Sequence, residues 1–158
     1  MTRIVVVGTY DTKAKPLSTL EAALRALGEE PITIDTSVFT SNANVTYSAE
    51  AVAEYAGERH GDLPPRGRAE AVRVMAQGAA GILGDLVSRG EVGVLALMGG
   101  SNAATVFTHL VPEVPMGIPK ILMRHRFPET HAHWSMEPIP FSFTPWSMWT
   151  GTTPSCAR

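Results

Sequence analysis

Short apolar segments alternate along this chain with segments of helical periodicity, and this alternation limits its fold more than any other feature. The apolar segments, which we predict to be strands, are residues 4–7, 31–35, 92–100 and 118–123. Apolar residues at helical spacing predict helices from about residue 16 to 27, from Ser48 onward, over 68–88 and over 102–110. Strands that alternate with helices pair in parallel, because each helical crossover returns the chain to the same end of the sheet. The sequence therefore predicts an α/β fold with a parallel sheet and flanking helices.

Length and charge exclude several classes of protein. The chain has 158 residues, of which 44% are hydrophobic, and its formal net charge is −2. This is the size of one ordinary domain, and the charge offers no long-range attraction to nucleic acid or to an anionic membrane. No signal-like segment opens the chain and no apolar run is long enough to cross a bilayer, so we expect a cytoplasmic protein. The single cysteine, Cys156, excludes an intrachain disulfide.

The character of the chain changes after Met123. All three tryptophans, three of the five histidines and five of the twelve prolines lie in residues 124–158, without helical or strand periodicity. We therefore predict two parts: an α/β subdomain over residues 1–123 and an irregular tail over 124–158.

The strand ends carry the residues that could bind a ligand. Carboxyl ends of parallel strands meet at one edge of the sheet, where α/β proteins bind their ligands. A glycine there lets the backbone approach a ligand, hydroxyl and ammonium groups donate to phosphate oxygens, and an acid after the second strand accepts ribose hydroxyls. The residues of these types are Gly8, Thr9, Thr12, Lys13, Asp35, Gly99, Gly100 and Ser101.

Each of these residues also has a purely structural interpretation. The three glycines could serve tight turns that need a positive φ, Lys13 could be solvated, and Asp35 could cap a turn or a helix. Neither glycine segment is a G-x-G-x-x-G or Walker motif.

Other candidates for a chemical role are weaker. We interpret Arg66 and Arg68 as an exposed charged turn rather than an anion site. His125, His131 and His133 lack the framework of a metal site, so none is predicted. Ser101 lacks the surrounding pattern of a nucleophile elbow, and no catalytic residue can be named.

Five ordered segments of the chain resemble one known family. They are VVVGTYDTK (residues 5–13), ITIDTSV (32–38), RGRAEAVRVMAQGAAGIL (66–83), VLALMGGSNAATV (94–106) and MGIPKILM (116–123). Together they are similar to the amino-terminal part of the Tm-one-like ATP-binding domain family, also called uncharacterised protein family 0261. The resemblance covers about the first 123 residues.

The resemblance implies a Rossmann-like subdomain that binds ATP, with or without Mg²⁺, at the strand-end edge. Gly8, Thr9, Asp11, Thr12 and Lys13 match the family's G-T-x-D-T-K, and residues 99–101 match the first half of its G-G-S-G-G-T. The second half differs, because Asn102, Ala103 and Ala104 replace its glycines and their neighbour.

The tail departs from the family altogether. Relatives continue with segments like S-T-V-S-G-D and V-V-D-V-x-G and then a second subdomain. The codons of WSMWTG (146–151), read in a shifted frame, can encode V-V-D-V-D-G, and those of HRFPET (125–130) with their neighbours can encode S-V-S-G-D-T. We therefore hypothesise that the tail is out of frame, that the sheet is incomplete and that the chain is truncated.

The function that the resemblance implies, and that the strand-end residues support, is binding of ATP without an assigned reaction. A protein-interaction module is the alternative, acting as a homo-oligomer or with a TIM-barrel-like partner domain. A generic α/β enzyme that uses a sugar nucleotide or dinucleotide, and a fragment without function, also stay open. Nucleic-acid and membrane partners are not expected.

Overall fold

A computed structural model describes residues 2–39, 43–125 and 134–136. The strands are β1 (Arg3–Gly8), β2 (Ile32–Asp35), β3 (Val92–Gly99), β4 (Lys120–His125) and β5 (Trp134–Met136), and the helices are α1 (Tyr10–Ala26), α2 (Ala49–Tyr55), α3 (Arg68–Ser88) and α4 (Ala103–Leu110). Short 3₁₀ turns lie at His60–Asp62, Pro64–Arg66 and Val111–Glu113. The predicted Rossmann-like α/β fold is confirmed.

The sheet has the order β2-β1-β3-β4-β5. The first four strands pair in parallel, and β5 pairs antiparallel with β4. After β2 the chain returns past β1 to place β3 on its other side. The order of the strands therefore reverses direction between β1 and β3, which is the topological switch point of a doubly wound sheet.

Successive residues of β1 face opposite layers of the molecule, as strand geometry requires. Val5 and Val7 belong to the large core cluster beneath α2, α3 and α4, whereas Val6 packs with Tyr10 and Leu17 of α1. Helices thus cover both faces of the sheet, which explains why the central strands are apolar at consecutive positions.

Local signals place several helix ends where the sequence predicts them. Helix α3 spans the predicted residues 68–88 and is followed by Gly90 at a φ of 67°. That left-handed conformation closes helix ends and favours glycine. The Ser48 side chain caps α2 by accepting a hydrogen bond from the Ala51 amide at 3.4 Å.

Helix α1 begins earlier than its apolar spacing predicts. A first turn at 10–12 is separated from the rest of the helix by Lys13, which has a non-helical φ of −125°. The Lys13 amide closes this turn by donating to the Thr9 carbonyl at 2.9 Å. Pro16, which has no amide hydrogen, then lies in the first turn of the longer helical segment, as predicted.

The structure extends the predicted fourth strand. Strand β4 starts at Lys120 rather than at residue 118 and runs on to His125, and β5 adds three further residues of sheet. Residues 124, 125 and 134–136 of the predicted irregular tail therefore belong to strands of the sheet. The rest of the predicted tail, the hypothesis of a shifted frame and Cys156 lie outside the described residues.

Candidate functional site

The ends of β1 and β3 form the two sides of a cavity at the switch point. Gly8, the last residue of β1, stands opposite Met98 in the parallel register, one residue before the end of β3. The turns that follow these strands are therefore neighbours. The cavity has a volume of about 310 Å³, at the lower end of the range of about 300–1,000 Å³ that is usual for small-molecule sites.

Seven of the nine residues predicted for the site line this cavity: Gly8, Thr9, Asp11, Thr12, Gly99, Gly100 and Ser101. They come from two segments about 90 residues apart, so the sheet topology alone brings them together. Lys13 and Asp35 are not part of the lining. The ligand contacts of all nine residues stay predictions.

Asp35 holds the backbone of two turns. The residue is fully buried, and its Oδ1 accepts hydrogen bonds from the Tyr10 amide at 3.3 Å, from the Ser37 amide at 2.9 Å and from the Ser37 hydroxyl. These donors satisfy the buried carboxylate and tie the segment after β2 to the start of α1. The predicted contact between Asp35 and a ribose stays untested, and the burial of the residue argues against it.

The three glycines of the site do not have positive φ values, so the interpretation as left-handed turns was wrong. A Cβ on Gly8 would lie 2.7 Å from both methyl carbons of Leu17, and a Cβ on Gly99 would lie 2.9 Å from the Cβ of Ala103. Both glycines therefore allow helices to pack closely on the ends of the strands. A Cβ on Gly100 would meet no protein atom within 4 Å.

Asp11 carries an unsatisfied oxygen at the edge of the cavity. Its Oδ1 is shielded from solvent and has no hydrogen-bond partner among the described residues. The backbone amide of Asp11 donates to the Ser37 hydroxyl at 3.0 Å, which fixes the position of the residue. A buried carboxylate oxygen without a donor costs free energy unless a ligand supplies one or a cation binds there.

The hydroxyls of Thr9 and Thr12 lie beside this carboxylate on the same turn. Their Oγ1 atoms are 3.3 Å apart, and both residues line the cavity. A hydroxyl donates one hydrogen bond and can rotate toward a new acceptor. The turn therefore presents two adjustable donors and one carboxylate.

A third wall of the cavity was missed by the sequence analysis. It consists of Thr36, Val38 and Phe39 after β2, Pro64 in a 3₁₀ turn, and Arg68 and Val72 at the start of α3; Leu97, Met98, Asn102, Ala103 and Val106 complete the lining. Arg68 is exposed, as predicted for a charged turn, and it also lines the cavity. Arg66 fits that interpretation, since it pairs with Glu58 at 2.8 and 2.9 Å.

A buried pair of polar side chains lies under the first turn of α1. The Tyr10 hydroxyl donates to Glu21 Oε1 at 2.6 Å, and both residues are 5% exposed. Burial, followed by the hydrogen bond to the Glu21 carboxylate, raises the pKa of Tyr10 far above its ordinary value. The phenol therefore stays protonated and acts as a donor at neutral pH.

The residues that the structure describes contain neither a candidate metal cluster nor a helix suited to cross a membrane. Across residues 2–39, 43–125 and 134–136, no three histidine, cysteine or carboxylate side chains form a cluster that could hold a metal ion. His131 and His133 lie outside those ranges. No helix within them has both the length and the apolar character that a membrane crossing requires.

Comparison with known proteins identifies similar sequences in bacteria. A family model described as "Uncharacterised protein family (UPF0261) N-terminal domain" matches residues 2–124. The chain is 32% identical over 124 residues to a UPF0261 protein of Rhizobium meliloti, covering 78% of this chain and 30% of that protein. It is 31% identical over 123 residues to a UPF0261 protein of Brucella suis, covering 77% of this chain and 29% of that protein. The chain thus spans about 30% of the length of these relatives.

Proposed function

This chain belongs to the UPF0261 family, whose N-terminal domain it carries, and from that premise we propose that the cavity between the ends of β1 and β3 binds ATP through its triphosphate. The proposal is supported mainly by the residues that line the cavity. Residues chosen from the sequence for phosphate chemistry come from two distant turns and line one space at the switch point of the sheet. Ligands of doubly wound sheets bind at this place.

The donors around the cavity suit phosphate oxygens. Thr9, Thr12 and Ser101, which each carry a hydroxyl, line it, and helix α4 starts at its edge, where first-turn amides lack partners within their helix. A hydrogen bond from such a donor to a charged oxygen contributes about 1.5–3 kcal/mol. Three or four of these bonds would replace the hydrogen bonds that the triphosphate makes to water and so bind it in the cavity.

The lining of the cavity cannot neutralise the charge of a triphosphate, so a cation must bind together with the ligand. The charged lining residues are Asp11 and Arg68, which cancel formally, whereas a triphosphate carries several negative charges. Mg²⁺ binds nucleotides through phosphate oxygens, water and one or two protein carboxylates. The unsatisfied Oδ1 of Asp11 fits that role, so Asp11 would hold the Mg²⁺ that accompanies ATP and neutralises its charge.

The proposal extends to binding and not to a reaction. Among the described residues, the cavity lining contains no histidine, cysteine or lysine, and the carboxylate of Asp11 is assigned to the cation. Since the chain spans about 30% of its relatives' length, the activity and partners of the whole protein are separate proposals.

Isothermal titration calorimetry with MgATP tests the proposal. We expect saturable binding to the folded wild-type chain, and an affinity about 10- to 150-fold lower for Thr12→Val, because the variant loses a donor to phosphate. Thr19→Val is the matched control. It removes another exposed hydroxyl of α1, which donates to the Lys15 carbonyl outside the cavity, and it should bind MgATP like the wild type.

Two results would contradict the proposal. The first is a folded wild-type chain without saturable heat at millimolar MgATP, which would favour the protein-interaction alternative. The second is binding that Thr12→Val and Thr19→Val weaken equally, which would place the nucleotide elsewhere.

A further inference from the structure

The third wall of the cavity differs in chemistry from the two strand-end turns. Its side chains Val38, Phe39, Pro64 and Val72 have no polar atoms. Val38 and Phe39 come from the segment after β2, Pro64 from a 3₁₀ turn and Val72 from α3, and none of the four supplies a donor to the proposed phosphate contacts. A ligand that fills the whole cavity would therefore meet donors on one side and an apolar surface on the other.

Phe39 is exposed in an unusual place. Four large hydrophobic side chains of the described residues are exposed: Leu27, Phe39, Tyr55 and Met116. Phe39 alone among these four lines the cavity, with 64% of its surface accessible. An exposed aromatic ring in a cavity that also presents polar groups is typical of a site that buries the ring when a ligand binds.

Hydrogen bonds hold the segment before Phe39 against the proposed phosphate turn. The Thr36 amide and hydroxyl both donate to the Gly8 carbonyl, at 2.8 and 3.2 Å. On the other side, His60 Nε2 donates to the Ser37 carbonyl at 2.9 Å. The backbone at residues 36 and 37 is thus fixed from both directions, which keeps Phe39 near the turn.

We propose that Phe39, with Val38 and Pro64, forms a nucleobase subsite in which the ring of Phe39 stacks on the base of the bound nucleotide. This inference rests on the proposed function, since it assigns the other end of the same ligand. Arg68 is the charged side chain of this wall and forms no ion pair with another described residue, so we assign it to the phosphates of the same ligand. Stacking binds the flat face of a base and tolerates changes of base.

The apolar character of the subsite predicts weak discrimination between bases. Reading the edge of a purine requires hydrogen-bond donors and acceptors beside it. The side chains of Val38, Phe39, Pro64 and Val72 supply none. We therefore expect ATP and GTP to bind within about fivefold of each other.

The test compares ATP, GTP and inorganic tripolyphosphate, each with Mg²⁺, by calorimetry on the full chain. Phe39→Ala should weaken ATP and GTP binding about 5- to 100-fold, the range expected for one stacked base, and leave tripolyphosphate unchanged. Phe39→Trp should retain nucleotide affinity because it keeps an aromatic face. Leu27→Ala, which truncates a 79% exposed side chain outside the cavity, is the matched control and should change nothing.

Arg68→Ala should change the affinities in a different way from Phe39→Ala. Because the guanidinium is assigned to the phosphates, its loss should weaken ATP and tripolyphosphate binding by similar factors. Arg59→Ala, an equal change of charge at an exposed position outside the lining, should leave both affinities near the wild-type values.

The outcomes separate the two proposals. ATP binding that Phe39→Ala leaves unchanged, or equal weakening of ATP and tripolyphosphate by this variant, would overturn the nucleobase subsite while the phosphate site stands. If the folded wild type binds none of ATP, GTP and tripolyphosphate, both proposals fail.

Discussion

Among single residues, Tyr10 connects the core to the cavity most directly. Its amide donates to the buried carboxylate of Asp35, and its hydroxyl donates to the buried carboxylate of Glu21. Glu21 has one further close partner, Arg25, at 3.3 Å and half-exposed. The first turn of α1, which carries Asp11 and Thr12 into the cavity, is therefore fixed by a residue that does not line the cavity itself.

Removing the Tyr10 hydroxyl should be costly. In Tyr10→Phe, the Glu21 carboxylate stays buried and loses its shortest hydrogen bond, so we expect the free energy of unfolding to fall by about 1–3 kcal/mol. Tyr55→Phe is the matched control: it removes a hydroxyl that donates to Asp85 at 3.0 Å at an exposed site, and it should change stability by less than about 0.5 kcal/mol. Urea denaturation followed by circular dichroism measures both. Equal losses in the two variants would contradict this account.

The sequence indicates which residue types stand at the strand ends, and the structure decides what each of them can reach. Asp11 and Asp35 both follow strands, yet Asp35 is buried with three donors while Asp11 keeps an oxygen without one. That difference depends on Ser37 and Tyr10 folding around Asp35. Spacing along the chain carries no information about this arrangement, so the two acids could not be told apart in advance.

Among the elements, α2 and α3 approach each other most closely at a glycine. A Cβ on Gly78 of α3 would lie 1.8 Å from the carbonyl oxygen of Val52 in α2, well inside van der Waals contact. The opposing atom belongs to the backbone, so no side-chain rotation could relieve the clash. The α2–α3 pair covers one face of the sheet, and α3 also carries Arg68 and Val72 to the cavity.

We expect Gly78→Ala to destabilise the chain by at least about 1 kcal/mol, because overpacking outweighs the gain in helix propensity. Gly81→Ala, one turn further along α3, is the control. Its Cβ would lie 3.3 Å from a ring carbon of the exposed Tyr55, which can move, so the variant should be neutral or up to about 1 kcal/mol more stable. Thermal or urea unfolding of both variants measures the difference. Changes of the same sign and size would show that the helices are not in close contact at Gly78.

The ends of a helix or strand are predicted accurately when the residues that determine them lie within that element or next to it. Both ends of α3 follow from its long apolar periodicity and from Gly90, and the structure agrees with them. The start of α1 could not be predicted, because the turn at 10–12 forms through contacts with Asp35 and Ser37 about 25 residues away. Strand β4 spans residues 120–125 rather than the predicted 118–123 because its ends depend on pairing with β3, where Lys120 stands opposite Leu95.

At the scale of the whole molecule, the order of the strands in the sheet brings the residues of the candidate site together. The strand order places the turns after β1 and β3 side by side, and this much follows from reading parallel strands in the sequence. The wall with Phe39 and Arg68 did not follow, since it depends on how two separate segments, the one after β2 and the one between α2 and α3, fold over the sheet edge. The family match covers residues 2–124, so the cavity lies entirely within the part shared with the relatives.

The central claim is that ATP binds in the cavity between β1 and β3, and a titration followed by amide nuclear magnetic resonance spectra tests it most directly. With MgATP, we expect saturable shifts at the amides of Gly8, Thr9, Gly99 and Gly100, and unchanged signals at the carboxyl end of α3. A folded spectrum without saturable shifts at those four amides, or with its largest shifts away from the cavity, would contradict the account.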